Sequence, residues 1–279
     1  MRQLFFITIL LCSTAEFFGY DILRSRHPRM AFTLDVSPKA GFGNTFFLNS
    51  NVDADPNANR YFFCPSYFYG GRLGLTYISG FPKSIFFTVY GEYLFSNFSQ
   101  KYQLLDYATQ TTYDYSYKIA AAHKALMVRA TIFSRHDNGG AMYLEVGKQF
   151  STIDKASVSS SNSLSNLGAN PDVWFPKQNN NIVFGVGGHG LMYSLGLRFT
   201  YGRGPLFNGT RQPVQDGYYD NPMINPDYAK NYSGYKETHL LMVELVFELN
   251  LYILELGNAT CGKQRLFPFP MHLNQDVIW

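Results

Sequence analysis

The chain has 279 residues and a formal net charge of +3, a surplus too small, with no cluster of Lys and Arg, to track a nucleic-acid backbone. Aromatic residues make up 17% of it, with 21 Tyr and 25 Phe, and charged residues 15%, yet mean hydropathy is -0.15; apolar side chains must therefore be interleaved with polar ones. Beyond the first residues no stretch approaches the 18 or so unbroken apolar residues of a transmembrane helix, so a membrane crossing would have to be made by strands.

Residues 1–15 read as a secretory signal peptide: one basic residue, Arg2, an apolar run from Leu4 to Leu11 that is too short to span a bilayer, and small residues at Ser13 and Ala15. Cleavage is expected near Ala15. The bulky Ile9, Leu10 and Leu11 before Cys12 are unlike a lipobox, so no lipid anchor is expected. Residues 16–28 then form a periplasmic N-terminal segment. Only Cys64 and Cys261 would survive cleavage, which excludes a disulfide framework.

From Arg29 to Leu256 the apolar pattern has period two, and helical periodicity is nowhere competitive. Eight strands are predicted: Met30 to Leu48 with a kink at Pro38 to Gly43, Tyr67 to Ile78, Ile85 to Tyr102, Lys118 to Phe133, Ala141 to Ile153, Asn181 to Gly187, Leu191 to Tyr201, and Glu237 to Glu255. Their connections alternate. Short turns rich in Gly, Pro, Asn and Asp (79–84, 135–140, 188–190) exchange with long polar segments (49–60, 104–115, 154–180, 202–236). Such alternation belongs to a membrane barrel with short turns on one side and long loops on the other, whereas a soluble sandwich has no reason for it. The expected fold is thus all-β, a transmembrane up-and-down antiparallel barrel of about eight strands spanning 29–256. Residues 257–279 follow as a tail or additional terminal strand. This topology sets Cys64 and Cys261 at opposite ends, which argues against a bridge.

The pattern resembles the small outer-membrane barrels of the OmpA/OmpX transmembrane-domain type, also described as outer membrane protein β-barrel domain proteins. The resemblance covers Met30 to Leu256 and is one of pattern, with no signature motif. It implies periplasmic turns, extracellular loops and residence in the Gram-negative outer membrane. Such proteins commonly end on an aromatic in the last strand; here Trp279 is terminal, but Gly257 to Trp279, with Pro268 and Pro270, intervene.

Parity sorts the side chains. In the last strand Leu241, Val243, Leu245, Phe247, Leu249, Leu251 and Ile253 form one apolar face, with Glu244, Glu248 and Asn250 on the other. Extended to all strands, the rule sends Asp35, Arg72, Glu92, His123, Arg129, Glu145, Arg198, Glu244 and Glu248 into the lumen, as a polar network. A Lys or Arg facing lipid at the midplane costs about 2 to 4 kcal/mol, so the sorting is enforced. Lys124 and Lys148 take the outward parity near the outer interface, where their ammonium groups would snorkel or contact phosphates of the outer-leaflet glycolipid. Tyr67, Tyr69, Tyr93, Phe95 and Tyr201 would form a girdle at that height.

The fourth long loop carries Tyr218, Tyr219, Asp220, Asn221 and Tyr228, candidates for binding a protein or glycan, or for shielding the mouth. No phosphate loop, HExxH, zinc-spaced Cys/His set or nucleophile elbow is present. No catalytic residue, metal or cofactor is expected. The functional reading is an integral outer-membrane barrel with a structural or binding role, through its loops or as a subunit of a larger complex. Its partners would be lipid and lipopolysaccharide, the outer-membrane assembly machinery, and other outer-membrane proteins. Three alternatives stand beside it: a small polar pore, a lipid A-modifying enzyme built around His123, and a secreted soluble sandwich.

Overall fold

The computed structural model describes residues 31–49, 58–78, 85–106, 110–133, 141–160, 175–189, 193–207 and 237–256. These residues form a closed antiparallel barrel of eight staves. In chain order the strands are β1 (Ala31–Leu48), β2 (Ala58–Arg60), β3 (Pro65–Ile78), β4 (Ile85–Asp106), β5 (Thr111–Phe133), β6 (Ala141–Ser160), β7 (Asn179–His189), β8 (Tyr193–Gly202), β9 (His239–Leu249) and β10 (Leu251–Leu256). Each stave pairs with its sequence neighbour, and β1 closes the circle on β9 and β10, which together make the last stave. Little β2 lies beside β4 beyond the end of β3, occupying the same lane. Ala31 pairs with Ile78 and Phe32 with Leu256, so the barrel begins and ends at one rim. That rim also carries the β3–β4, β5–β6 and β7–β8 connections and is called the turn end; the opposite rim is the loop end.

Closure needs no special adhesive. Alternation places one apolar face outward on every stave, and a closed ladder leaves no edge to pair with another chain. Pro38, which cannot donate to a ladder, stays paired with Gly71 in an unbroken β1–β3 register. The expected kink at 38–43 is therefore absent as a break in pairing. Its missing donor falls where the last stave is interrupted, since β1 pairs β9 from Lys39 onward and β10 only up to Val36. The one irregularity of β1 sits lower, at Leu34/Asp35.

Of the four connections expected to be long loops, 104–115 is largely strand and 154–180 begins as strand. β4 and β5 stay paired out to Asp106 and Thr111, and β6 continues to Ser160. The staves are consequently unequal: β4, β5 and β6 have 22, 23 and 20 residues, against 11, 10 and 11 for β7, β8 and β9. A wall of three strands projects past the loop-end rim.

Outward positions are apolar and exposed along the lower part of β3 to β8, with Leu73, Leu75, Phe87, Val89, Leu126, Val128, Met142, Leu144, Val146, Ile182, Phe184 and Leu197 among them. Inside, eight strands leave only enough room for side chains, and glycine decides where large ones fit. Gly187 and Gly196 face each other on β7 and β8. The Tyr143 ring lies so close that a Cβ on Gly196 would come within 2.1 Å of its hydroxyl and one on Gly187 within 2.8 Å of Cε1.

Candidate functional site

Every inward residue predicted for the polar network is buried inside the barrel: Asp35, Arg72, Glu92, His123, Arg129, Glu145, Arg198, Glu244 and Glu248. They do not form one undivided cluster. Three layers stack along the axis.

The middle layer is ionic. Arg129, from β5, is the hub: its Nη2 donates to Glu145 Oε2 at 2.7 Å and to Glu248 Oε2 at 2.7 Å, while Nε and Nη1 donate to the same two carboxylates at 3.0 and 2.9 Å. Arg72 Nε donates to Glu248 Oε1 at 2.7 Å. Arg198 Nη1 donates to Glu92 Oε2 at 2.8 Å and its Nη2 to Gln149 Oε1 at 2.8 Å. Lys39 Nζ joins the two halves, donating to Glu92 Oε1 at 2.5 Å and lying 3.7 Å from Glu145 and 3.8 Å from Glu248. Tyr90 donates its hydroxyl to Glu145 at 2.5 Å and presents its ring to Arg72 and Arg129, with the guanidinium carbons 4.8 and 5.3 Å from the centroid. Arg129 also lies 4.2 Å from the Tyr143 ring centre. Side chains in these ion pairs are between 0 and 4% exposed. A water-filled passage would leave its lining accessible. This layer is closed.

Toward the turn end Asp35 accepts from the Thr76 hydroxyl, which also contacts Thr88 Oγ1 at 2.8 Å. Above the ionic layer His123 lies between two serines, with Nε2 2.5 Å from Ser96 Oγ and Nδ1 2.6 Å from Ser151 Oγ. Gln149 and Asn181 complete the hydrogen bonding, Asn181 Nδ2 donating to Ser151 Oγ at 2.7 Å. A serine hydroxyl against an imidazole is the pairing that nucleophilic catalysis uses. Here His123, Ser96 and Ser151 are each 2% exposed and lie inside the barrel, where they link three neighbouring staves. Glu244, placed on the same side, accepts from Ser66 Oγ at 3.0 Å.

The loop end is sealed differently, by rings. Phe47 contacts Phe98, Tyr117 and Phe207 at centroid separations of 6.4, 5.6 and 5.8 Å, and Phe207 stacks on Tyr117 and Phe175 at 5.7 and 5.1 Å. Phe207 belongs to the segment after β8, anchored where Leu206 N donates to Thr238 O at 2.7 Å. Beside this plug the buried Cys64 is a free thiol; its Sγ accepts from Gln100 Nε2 at 3.2 Å and Lys101 N at 3.3 Å. Burial pushes the Cys64 thiol above its ordinary pKa.

Lys124 and Lys148 are exposed on the outward face, as parity requires. They are not directly opposite one another: Lys124 faces Phe150 and Tyr93, and Lys148 faces Leu126 and Ile182, one diagonal step away. The Lys148 ammonium lies 4.8 Å from the centre of the Phe150 ring. Tyr67, Tyr69, Tyr93, Phe95 and Tyr201 are all exposed outward, with Tyr93 edge-on to Phe95 at 5.0 Å. Tyr218, Tyr219, Asp220, Asn221 and Tyr228, the loop candidates, lie outside the described residues, as do 1–30, 257–279 and Cys261.

Lys39, Tyr90, Tyr143 and Gln149 are network members that the strand reading missed. Parity alone places Tyr90 beside Glu92, and Tyr143 and Gln149 beside Glu145. Lys39 was hidden by the kink expected at Pro38, since a break there destroys the alternation that links Lys39 to Asp35. Among the described residues no group of three His, Cys, Asp or Glu side chains could hold a metal ion. The chain is an eight-stranded closed antiparallel barrel with an ion-paired interior; no protein-family model and no curated protein matches it.

Proposed function

We propose that this chain is an integral barrel of the Gram-negative outer membrane, exported with a cleaved signal peptide, whose sealed lumen leaves function to its loop end. Its role is structural or binding, exercised through the loop-end surface or by docking in a larger outer-membrane complex. One observation carries the reading: the barrel is inside-out, with its charges in the lumen and its apolar side chains outside. A soluble monomer rarely exposes a contiguous apolar patch above a few hundred Å², whereas here the outward apolar face recurs on stave after stave.

The dimensions fit. From Ile85 to Phe95 the β4 wall climbs about 26 Å along the axis at a strand rise of about 3.4 Å and a tilt of about 40°, which matches the roughly 25 Å apolar band of an outer-membrane barrel. Tyr67, Tyr69, Tyr93, Phe95 and Tyr201 cap that band at its loop-end margin, as interfacial aromatics do. The turn end then faces the periplasm and the loop end the exterior. Lys124 and Lys148 stand just below the margin, with stems long enough to snorkel to headgroup level. Lipid and lipopolysaccharide surround the wall in this reading, and the assembly machinery inserts it. The closed ionic layer favours a plug over a small pore, and the inaccessible His123 favours a packing role over lipid A chemistry.

Cell fractionation combined with electrophoresis of unboiled and boiled samples tests the placement. A heat-modifiable band in the outer-membrane fraction is expected. An unmodified band in the soluble periplasm would discard the membrane reading.

A further inference from the structure

The outward face changes chemistry abruptly where the projecting wall leaves the apolar band. Up to the row of Tyr69, Phe95, Ala122 and Thr152 the outward residues of β4 and β5 are mostly apolar or aromatic; the next rows toward the loop end are Asn97–Ala120–Lys155, Ser99–Lys118–Ser157 and Lys101–Ser116–Ser159. Three lysines thus descend diagonally across three strands. Lys118 is one diagonal step from Lys101 and one from Lys155, a separation of roughly 7 to 8 Å between backbone positions. All three are exposed. Among the described residues none of their ammonium groups lies within 4.0 Å of a carboxylate. The acids nearby are Asp154, at the β6 irregularity beside Lys155, and Asp114, which accepts from Tyr61 and Gln103.

We propose that Lys101, Lys118 and Lys155 form a binding face for the phosphates of an anionic outer-leaflet glycolipid seated against the β4–β6 wall. This rests on the outer-membrane reading. The rows rise about 5 Å each along the axis, so the lysines stand about 5, 10 and 15 Å above the aromatic margin, which is the level of a phosphorylated headgroup and its inner sugars and lies above the acyl chains. Three like charges held on one rigid sheet repel one another and are stabilised when a polyanion bridges them. Hydroxyls at Ser99, Ser157 and Ser159 and the amide of Asn97 stand on the same face and supply hydrogen bonds to the same ligand. β-Sheet neighbours fix the spacing, so the face requires no loop to order.

The test compares binding of bis-phosphorylated lipid A with its dephosphorylated form to the detergent-folded barrel by native mass spectrometry. The wild type is expected to prefer the phosphorylated lipid by at least about tenfold, from the attraction of basic side chains to anionic headgroups. K101Q/K118Q/K155Q should lose that preference while remaining heat-modifiable, and K124Q/K148Q, set lower on the wall, should lose much less. If the triple variant fails to fold, Lys118→Glu alone reverses the charge at the centre of the diagonal and should lower the preference. Equal binding of the two lipids by the wild type overturns the proposal, as does a folded triple or Lys118→Glu variant that keeps the preference. A phosphate preference in micelles from a protein absent from the outer-membrane fraction would sink the membrane placement while leaving the phosphate site standing.

Discussion

The lumen is closed twice, by opposite chemistry. Its middle is filled by four cations interlocked with carboxylates around Tyr90, and its loop end by packed aromatic rings around Phe47 and Phe207. The two seals fail differently. An aromatic truncated to alanine leaves a cavity whose walls relax partly and whose other contacts survive. Removal of the hub cation Arg129 leaves Glu145 and Glu248 buried, with the cations beside them, Lys39 and Arg72, already engaged by Glu92 and Glu248, and an undercompensated buried charge is strongly destabilising. Rings only fill space, whereas the ionic layer fixes the rotation and tilt of seven staves relative to one another, since its members come from β1, β3, β4, β5, β6, β8 and β9 in turn.

The largest expected effect is at the hub. Arg129→Met leaves Glu145 and Glu248 short of their strongest partner and should lower unfolding stability of the vesicle-folded barrel by about 3 to 5 kcal/mol, read from denaturant unfolding followed by tryptophan or far-ultraviolet signals. A loss under 1 kcal/mol would mean the carboxylates are solvated and the middle is not sealed. Phe47→Ala should cost about 3 kcal/mol through its cavity, with the difference that Phe47→Leu recovers most of it; no conservative cation does the same for Arg129, because Lys cannot fork between two carboxylates.

Smaller effects sharpen the boundary between the seals. Ser96→Ala removes a hydroxyl from His123 and should cost about 1 kcal/mol. Lys148→Gln removes an exposed cation from the face of Phe150 and should cost about 0.5 kcal/mol. The smallest is a reactivity change at Cys64. Burial raises its thiol pKa, so the neutral form is the one the fold favours; this contribution is complete below the unfolded thiol pKa and is lost as pH rises through the folded one. In a Cys261→Ser background the folded protein should therefore react slowly with a thiol reagent near pH 8, speed up in more alkaline buffer, and react fast once boiled. Rapid labelling of the unboiled protein at pH 8 would place the thiol outside the plug.

Much of this was legible in the chain. Strict alternation identified every stave, and the same parity sent nine charged or imidazole side chains inward because a misplaced charge is costly on either face. What alternation could not reveal was length. Tyr113, Tyr115 and Tyr117 alternate with Asp114, Ser116 and Lys118, a period-two signal, but its outward half is polar because it lies beyond the apolar band, and it reads as loop. The same holds for Asp154 to Ser160, where an irregularity opposite Ala120/Ala121 shifts the parity. Lys39 was lost to a proline whose missing donor the barrel accommodates at a gap in its neighbour. Partner choice within the lumen, such as Arg129 bridging Glu145 and Glu248, depends on stagger between staves, which no single strand encodes.

The seal itself is best tested by single-channel recording of the purified barrel in planar bilayers. A doubly closed lumen predicts an electrically silent wild type and no steady conductance until Arg129 and Phe47 are both truncated. A stable open conductance in the wild type that disappears or changes size in Arg129→Met would contradict it and make the ionic layer a conducting path.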